Sequence, residues 1–238
     1  MVVLLLPRAD ASGASRLAVA RPSLRVVLVV VMLASASLFL LEAALARSRP
    51  PPASQYSLWL EPDDAAARAR LAALIRTLAK RFGAPPFAPH VTLLGGLPGG
   101  PVGRARALER ARALAASLAP FEIEARAVRV AATWNQAVLV EVERSDALVA
   151  AHVAARGAFL GDATERFAPP VGVPHLSLLY GAHDAAARDA AAAAAREQLA
   201  GGVRSSVGAL QLWATGGGLS GVRGWHRVAT FPLEGGSR

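Results

Sequence analysis

Along most of the chain the hydrophobic residues repeat with a period of two or of about 3.6, and the two periods alternate. Tyr56-Ser57-Leu58-Trp59-Leu60 is a short apolar run closed by Glu61-Pro62, and His90-Val91-Thr92-Leu93-Leu94 alternates with β-branched residues, so both predict strands. Between them Leu71, Leu74, Ile75, Leu78 and Phe82 recur at steps of three and four. That interval predicts a helix, capped by Asp63 and ended by Gly83 and Pro85-Pro86. The Gly- and Pro-rich run after Leu94 predicts turns, and a second helix is expected over 103–118. Over 121–130, Phe121, Ile123 and Ala125 alternate with charged neighbours, the pattern of a half-exposed antiparallel strand.

The same order then returns: a strand over 137–143, a helix over 146–156, a strand over 175–179, an alanine-rich helix over 184–199 and a strand over 208–213. A last strand is expected over 225–233. Tyr56 and His90 stand 34 residues apart, Val138 and His175 37, so matching elements keep comparable spacing. The expectation is an α+β fold: two pseudo-symmetric lobes of mainly antiparallel sheet with outer helices around a central cleft, over 55–233, with a short tail over 234–238.

The segment 1–49 has no place in that pattern. Val26 to Leu41 is a sixteen-residue apolar run with no charge, preceded by Arg21 and Arg25. It spans about 24 Å as a helix, or about 31 Å if continued to Ala46, against about 30 Å of bilayer hydrocarbon. Ala44-Leu45-Ala46 offers the small residues of a signal-peptide cleavage site. A cleaved signal, a membrane anchor through 26–46, an organellar transit peptide and an over-extended gene start all stay open. They imply respectively a secretory, membrane-anchored, organellar or cytoplasmic protein. Pro50-Pro51-Pro52 follows as a stiff spacer within 50–54.

Composition narrows the chemistry. With 53% hydrophobic and 18% charged residues, the 238-residue chain cannot be disordered as a whole. The absence of cysteine excludes disulfides, thiolate metal sites and thiol nucleophiles. The net charge of +9 is almost all arginine, Lys80 being the only lysine, and it is spread over leader and body, so it marks no particular partner.

The feature that carries chemistry is a repeat: Pro89-His90-Val91-Thr92-Leu93-Leu94 and Pro174-His175-Leu176-Ser177-Leu178-Leu179. Strand alternation puts His90 and Thr92 on one face, and likewise His175 and Ser177, while Val91, Leu93, Leu176 and Leu178 take the other. If the lobes pack by their pseudo-twofold, these faces oppose each other across a cleft. Two imidazoles and two hydroxyls suit a phosphodiester reaction: one neutral histidine takes a proton from water, one protonated histidine gives a proton to the leaving oxygen, and the hydroxyls bind phosphate oxygens. An imidazole near pKa 6.5 serves both roles. Two histidines without a carboxylate nearby in sequence fall short of a three-ligand metal site, so no metal or cofactor is expected.

On these motifs the chain resembles the two-histidine (2H) phosphoesterase superfamily, and its plant- and yeast-type cyclic phosphodiesterase branch in particular. The resemblance runs over roughly 55–233 and includes Tyr56-Ser57-Leu58-Trp59, Phe87-Ala88-Pro89-His90-Val91-Thr92, the Leu178-Leu179-Tyr180 extension and Trp225. It implies metal-independent opening of 2′,3′-cyclic nucleotides or of ADP-ribose 1″,2″-cyclic phosphate, and a monomer is expected. His90 and His175 would be the acid/base pair, Thr92 and Ser177 the phosphate binders, Tyr180 a wall of the site, and Trp59 and Trp134 aromatics beside the base. Strict alternation turns Tyr180 away, so its part requires a bend or bulge. Trp134-Asn135-Gln136 departs from the branch, which carries an aromatic just before the glutamine. Two other readings stay open: a 2H enzyme acting on RNA ends, and a non-catalytic protein that binds a phosphate ligand.

The remaining candidates read as structure. His152, His183 and His226 have polar surroundings and no partner motif, and the glycine pairs near 95 and 99 and the triplet 216–218 lack a Walker context. Arg104, Arg106, Arg110 and Arg112 step along one helix without interleaved aromatics, as a solvated face does, though they keep the RNA-end reading in view.

Overall fold

The computed structural model describes residues 5–8, 16–19, 54–167 and 172–235, and the chain divides into two compact units, Met1–Pro51 and Pro52–Arg238. In the first unit the described residues form two short strands, Leu5–Arg8 and Arg16–Val19, paired antiparallel with Leu5 opposite Val19. The apolar run 26–41, the tripeptide 44–46 and the prolines 50–52 lie outside the described residues. Among the described residues no helix is long and apolar enough to cross a membrane.

Among its described residues the second unit carries eight strands: β1 (Gln55–Leu60), β2 (Val91–Pro98), β3 (Phe121–Val130), β4 (Val138–Val142), β5 (His175–Leu179), β6 (Val203–Val207), β7 (Ala209–Thr215) and β8 (His226–Pro232). Its main helices are α1 (Ala65–Phe82), α2 (Gly100–Ser117), α3 (Asp146–Leu160) and α4 (Ala185–Gln198), with a one-turn α5 (Gly218–Gly221). The strands form one antiparallel sheet in the order β8-β7-β1-β2-β5-β4-β3-β6.

The pseudo-twofold runs between β2 and β5, and each chain repeat lends its third strand to the other side: β3 pairs with β4, and β7 with β1. The two expected lobes are therefore halves of one continuous sheet. They join through a single residue pair, Val91 opposite Leu176.

The four long helices cover one face. α1 lies on β5, α3 on β2, α2 on β7 and β8, and α4 on β3 and β4. Into that layer go Leu71, Leu74, Ile75 and Leu78 of α1 and Val91, Leu93, Leu176 and Leu178 of the motif strands, all at most 2% exposed. Each such side chain is worth about 1.5–3 kcal/mol buried, and a one-residue slip would bring histidine and hydroxyl into the core instead, so the register of both motifs is held by their aliphatic neighbours.

Local chemistry moved some expected boundaries. The cap of α1 is Asp64, whose carboxylate accepts from the Ala67 amide, while Asp63 accepts from the Gly208 amide at 2.5 Å. β2 continues to Pro98 where turns were expected, because β1 offers it partners as far as Gln55; register shifts absorb the glycines, and Gly96 takes φ +72°. α2 begins earlier, at Gly100, with Pro101 in its first turn, and α3 runs on to a left-handed Gly161. β6 has too few apolar residues to show in the sequence: Ser205 fills a buried position between Val203 and Val207.

Candidate active site

An antiparallel pairing centred on Val91 and Leu176 sets position 90 across from 177 and position 92 across from 175. The motifs therefore meet where the two halves of the sheet join. They lie side by side on one sheet face, each histidine across from the other motif's hydroxyl.

Both imidazoles are tied in the same way. His90 Nδ1 donates to the Ala88 carbonyl at 2.7 Å and His175 Nδ1 to the Val173 carbonyl at 2.9 Å. A carbonyl only accepts, so each neutral ring carries its proton on Nδ1 and presents a basic Nε2. Their surroundings differ. His90 is 3% exposed and stacked on Trp59, and burial pushes its pKa down from 6.5 to about 3, against the pull of the Ala88 carbonyl and with a further push from His175. His175 is half-buried. Burial lowers it too, but the Val173 carbonyl and the Glu141 carboxylate oppose that, and its Nε2 lies 3.3 Å from the Gln136 amide nitrogen.

The hydroxyls also differ. Thr92 is exposed, whereas Ser177 is 5% exposed and donates to the Asn135 carbonyl at 2.9 Å. Beside them opens a cavity of about 410 Å³ lined by His90, Thr92, Trp59, Trp134, Asn135, Tyr180 and Trp225, with Gln55, Ser57, Thr215 and the glycines 95, 96 and 216–218 at its polar end. His175 and Ser177 are not among its walls. Among the described residues no lysine, arginine, aspartate or glutamate lines it.

A match to the family model described as the 2′-5′ RNA ligase superfamily spans residues 62–219 and contains both histidine motifs. The chain belongs to that superfamily, the two-histidine phosphoesterases. Among solved structures, TT0787 of Thermus thermophilus is similar with TM-score 0.51 and 16% identity, over 76% of this chain and 99% of that one. E. coli LigT in apo form gives TM-score 0.50 and 15% identity over 77% and 99%, and a crystal structure of a phosphoesterase gives 0.51 and 15% over 76% and 98%. They share the α+β fold. No curated protein matches this chain.

The 2H frame explains how Tyr180 reaches the cavity. Val138 pairs with Leu179 but Leu139 with Ser177, so one extra residue bulges in β5 and reverses the alternation. Gly181 then turns the chain at φ +139°, where a Cβ would run into the His183 ring. Tyr180 stacks on Phe87 at 3.8 Å and meets the edges of Trp134 and Trp225 at 5.7 and 6.0 Å, and burial pushes its phenol above the ordinary range.

Trp59 corrects an expectation. It borders the cavity, but it is 2% exposed with stacks on His90 and Trp213, so it has no open face for a base. Trp134, half-buried, keeps one. Trp225 and Gln136 were not singled out from sequence as site residues. The missed signal was that all four tryptophans, Trp59, Trp134, Trp213 and Trp225, gather here. His152, at 4% exposure, braces β2 from the helix layer through the Leu93 carbonyl at 2.8 Å, and His226 is exposed. The arginines of α2 lie in the helix layer, on the far side of the sheet from the histidines; Arg110 donates to the Phe159 carbonyl and Arg112 lies over Phe231. Among the described residues, no three of His, Cys, Asp or Glu gather where they could hold a metal ion.

Proposed function

We propose that this protein is a cyclic phosphodiesterase that hydrolyses a nucleoside 2′,3′-cyclic phosphate, with His90 as general base and His175 as general acid. The observation that carries this reading is the square of His90, Ser177, Thr92 and His175 on one sheet face, beside an aromatic cavity without fixed charge. His90 Nε2 takes a proton from water as its oxygen bonds to phosphorus, the bond from phosphorus to the ribose 3′-oxygen breaks, and that oxygen leaves with the proton of His175. The product is the 2′-phosphate. Burial keeps the His90 ring neutral while lowering its proton affinity, and Glu141 favours the protonated form of His175 against the burial that lowers it. Thr92, exposed beside the cavity, binds a non-bridging oxygen, Trp134 receives the base, and Tyr180 backs the wall behind it.

The uncharged walls favour a ligand with one negative charge. The additional diphosphate of ADP-ribose 1″,2″-cyclic phosphate, or the backbone of an RNA end, would enter without a guanidinium to meet it. One chain supplies both histidines, so a monomer suffices.

The test incubates the full chain, in EDTA, separately with 2′,3′-cyclic AMP, ADP-ribose 1″,2″-cyclic phosphate and a cyclic-phosphate-terminated RNA, with products assigned by phosphorus NMR. Opening of the mononucleotide, lost in His90→Ala and His175→Ala, supports the reading. Turnover of the RNA alone moves the function to RNA ends, and binding without turnover of any substrate makes the protein a phosphate-ligand binder.

A further inference from the structure

Trp59 lies against His90 with ring centroids 3.4 Å apart and planes within 5°. It is itself stacked on Trp213 at 4.2 Å and met by the edge of Trp225 at 5.9 Å. Trp213 is pinned in turn: its indole N–H donates to Glu61 Oε1 at 3.0 Å, Glu61 is 5% exposed, and the Arg227 guanidinium reaches Glu61 Oε2 at 2.5 Å while lying 5.6 Å from the Trp213 ring. The backbone amide of Glu61 is held by the Gln211 side chain at 3.3 Å. A column thus runs from Arg227 on β8 through Glu61 and Trp213 to Trp59 and ends on the imidazole of His90.

We propose that Trp59 is a positioning residue for His90: its ring, backed by the Trp213–Glu61–Arg227 column, fixes the imidazole plane and stabilises the imidazolium formed when His90 takes the proton of water. This rests on His90 being the general base. The Nδ1–H bond to Ala88 fixes one atom of the ring but leaves rotation about that bond, and the stack removes it. As the proton arrives, the ring becomes a cation over an indole face. Attraction between cation and ring then grows from ground state to transition state, which raises kcat and leaves substrate binding alone. Of the other groups around His90, His175 repels a second positive charge, Phe87 offers only its edge at 6.1 Å, and no carboxylate lines the cavity. With the Ala88 carbonyl, which also favours the protonated ring, Trp59 is a contact that responds favourably to the charge.

The experiment compares Trp59→Leu and Trp59→Phe with the wild-type full chain, measuring kcat and KM on 2′,3′-cyclic AMP and the ¹⁵N shifts of the His90 ring at pH 7.5. In Trp59→Leu, kcat is expected to fall about tenfold or more with KM within about twofold, and Trp59→Phe to recover part of the loss, as a weaker π face would. The ring of His90 is expected as a single Nδ1–H tautomer in wild type and as a mixture in Trp59→Leu. A raised KM with kcat and ring shifts unchanged would overturn the proposal and return Trp59 to nucleotide binding. Trp213→Phe, which keeps a ring but loses the bond to Glu61, should show the same changes more weakly, and it serves if Trp59→Leu does not fold. If the wild type opens no cyclic phosphate, the catalytic reading fails by itself, while the tautomer of His90 in these variants still decides whether the stack positions it.

Discussion

Pro89-His90-Val91-Thr92 and Pro174-His175-Leu176-Ser177 occupy equivalent places about the pseudo-twofold and tie their imidazoles to the carbonyl two residues back, yet the fold gives them unlike surroundings. His90 is buried against an indole and its hydroxyl partner Thr92 is open to the cavity. His175 is half-buried, faces the Glu141 carboxylate and a glutamine amide, and its partner Ser177 is buried and bonded to Asn135. A duplicated motif thus acquires two different environments through what packs on it.

The comparison breaks most decisively at the histidines. His90→Ala and His175→Ala should each lower kcat on 2′,3′-cyclic AMP by at least ~10²-fold; steady-state assays that leave either variant above a tenth of wild type would remove that histidine from the mechanism. The hydroxyls sharpen it. Thr92→Ala should cost more activity than Ser177→Ala, about ten- to a hundredfold against a few-fold, because a hydrogen bond to charged phosphate is worth about 1.5–3 kcal/mol and Thr92 is the one exposed beside the cavity. Ser177→Ala should instead lower stability by about 1 kcal/mol in urea unfolding, through the lost bond to Asn135. Equal losses of activity would mean that both hydroxyls turn to the ligand.

The pH profile separates the same two groups. The base must be neutral, which His90 is above about pH 3, and the acid must be protonated, which the lowered pKa of His175 allows only below 6.5. kcat/KM of the free enzyme should therefore form a bell whose maximum lies on the acid side of pH 6.5, and Glu141→Gln should move its upper limb to lower pH by a fraction of a unit. An unmoved limb would take Glu141 out of the comparison. Stability should show a smaller effect of His90 alone. Its folded pKa is depressed, so the unfolded state binds the extra proton, and stability is present above about pH 6.5 and lost as pH falls towards about 3. His90→Asn should flatten acid unfolding in that window.

Much of this was legible because it is local. Alternation places His90 with Thr92 and His175 with Ser177 whatever the strands pair with, and the need to bend the chain before Tyr180 followed from the same period and is met by the bulge at 177–179. The cap of α1 and the end of β2 were misread because each depends on a distant partner: Asp63 is drawn to Gly208 and β2 is extended by β1. Trp59 was misread for the same reason. Its sequence shows an aromatic near the motif, but whether its face is open to a base or closed by His90 and Trp213 depends on β1, β2 and β7 lying side by side.

By itself the sequence determined the α+β class, the duplicated frame, the paired imidazoles and hydroxyls and the aliphatic residues that hold their register, since strand and helix periods and side-chain chemistry act over a few residues. Only the tertiary structure decided that the motifs lie side by side in one sheet, that one histidine is sealed under an indole while the other keeps its carboxylate, and that the cavity beside them carries no fixed charge. Burial, stacking and electrostatic surroundings are properties of residues far apart in the chain, and they come into being only when the eight strands close into one sheet.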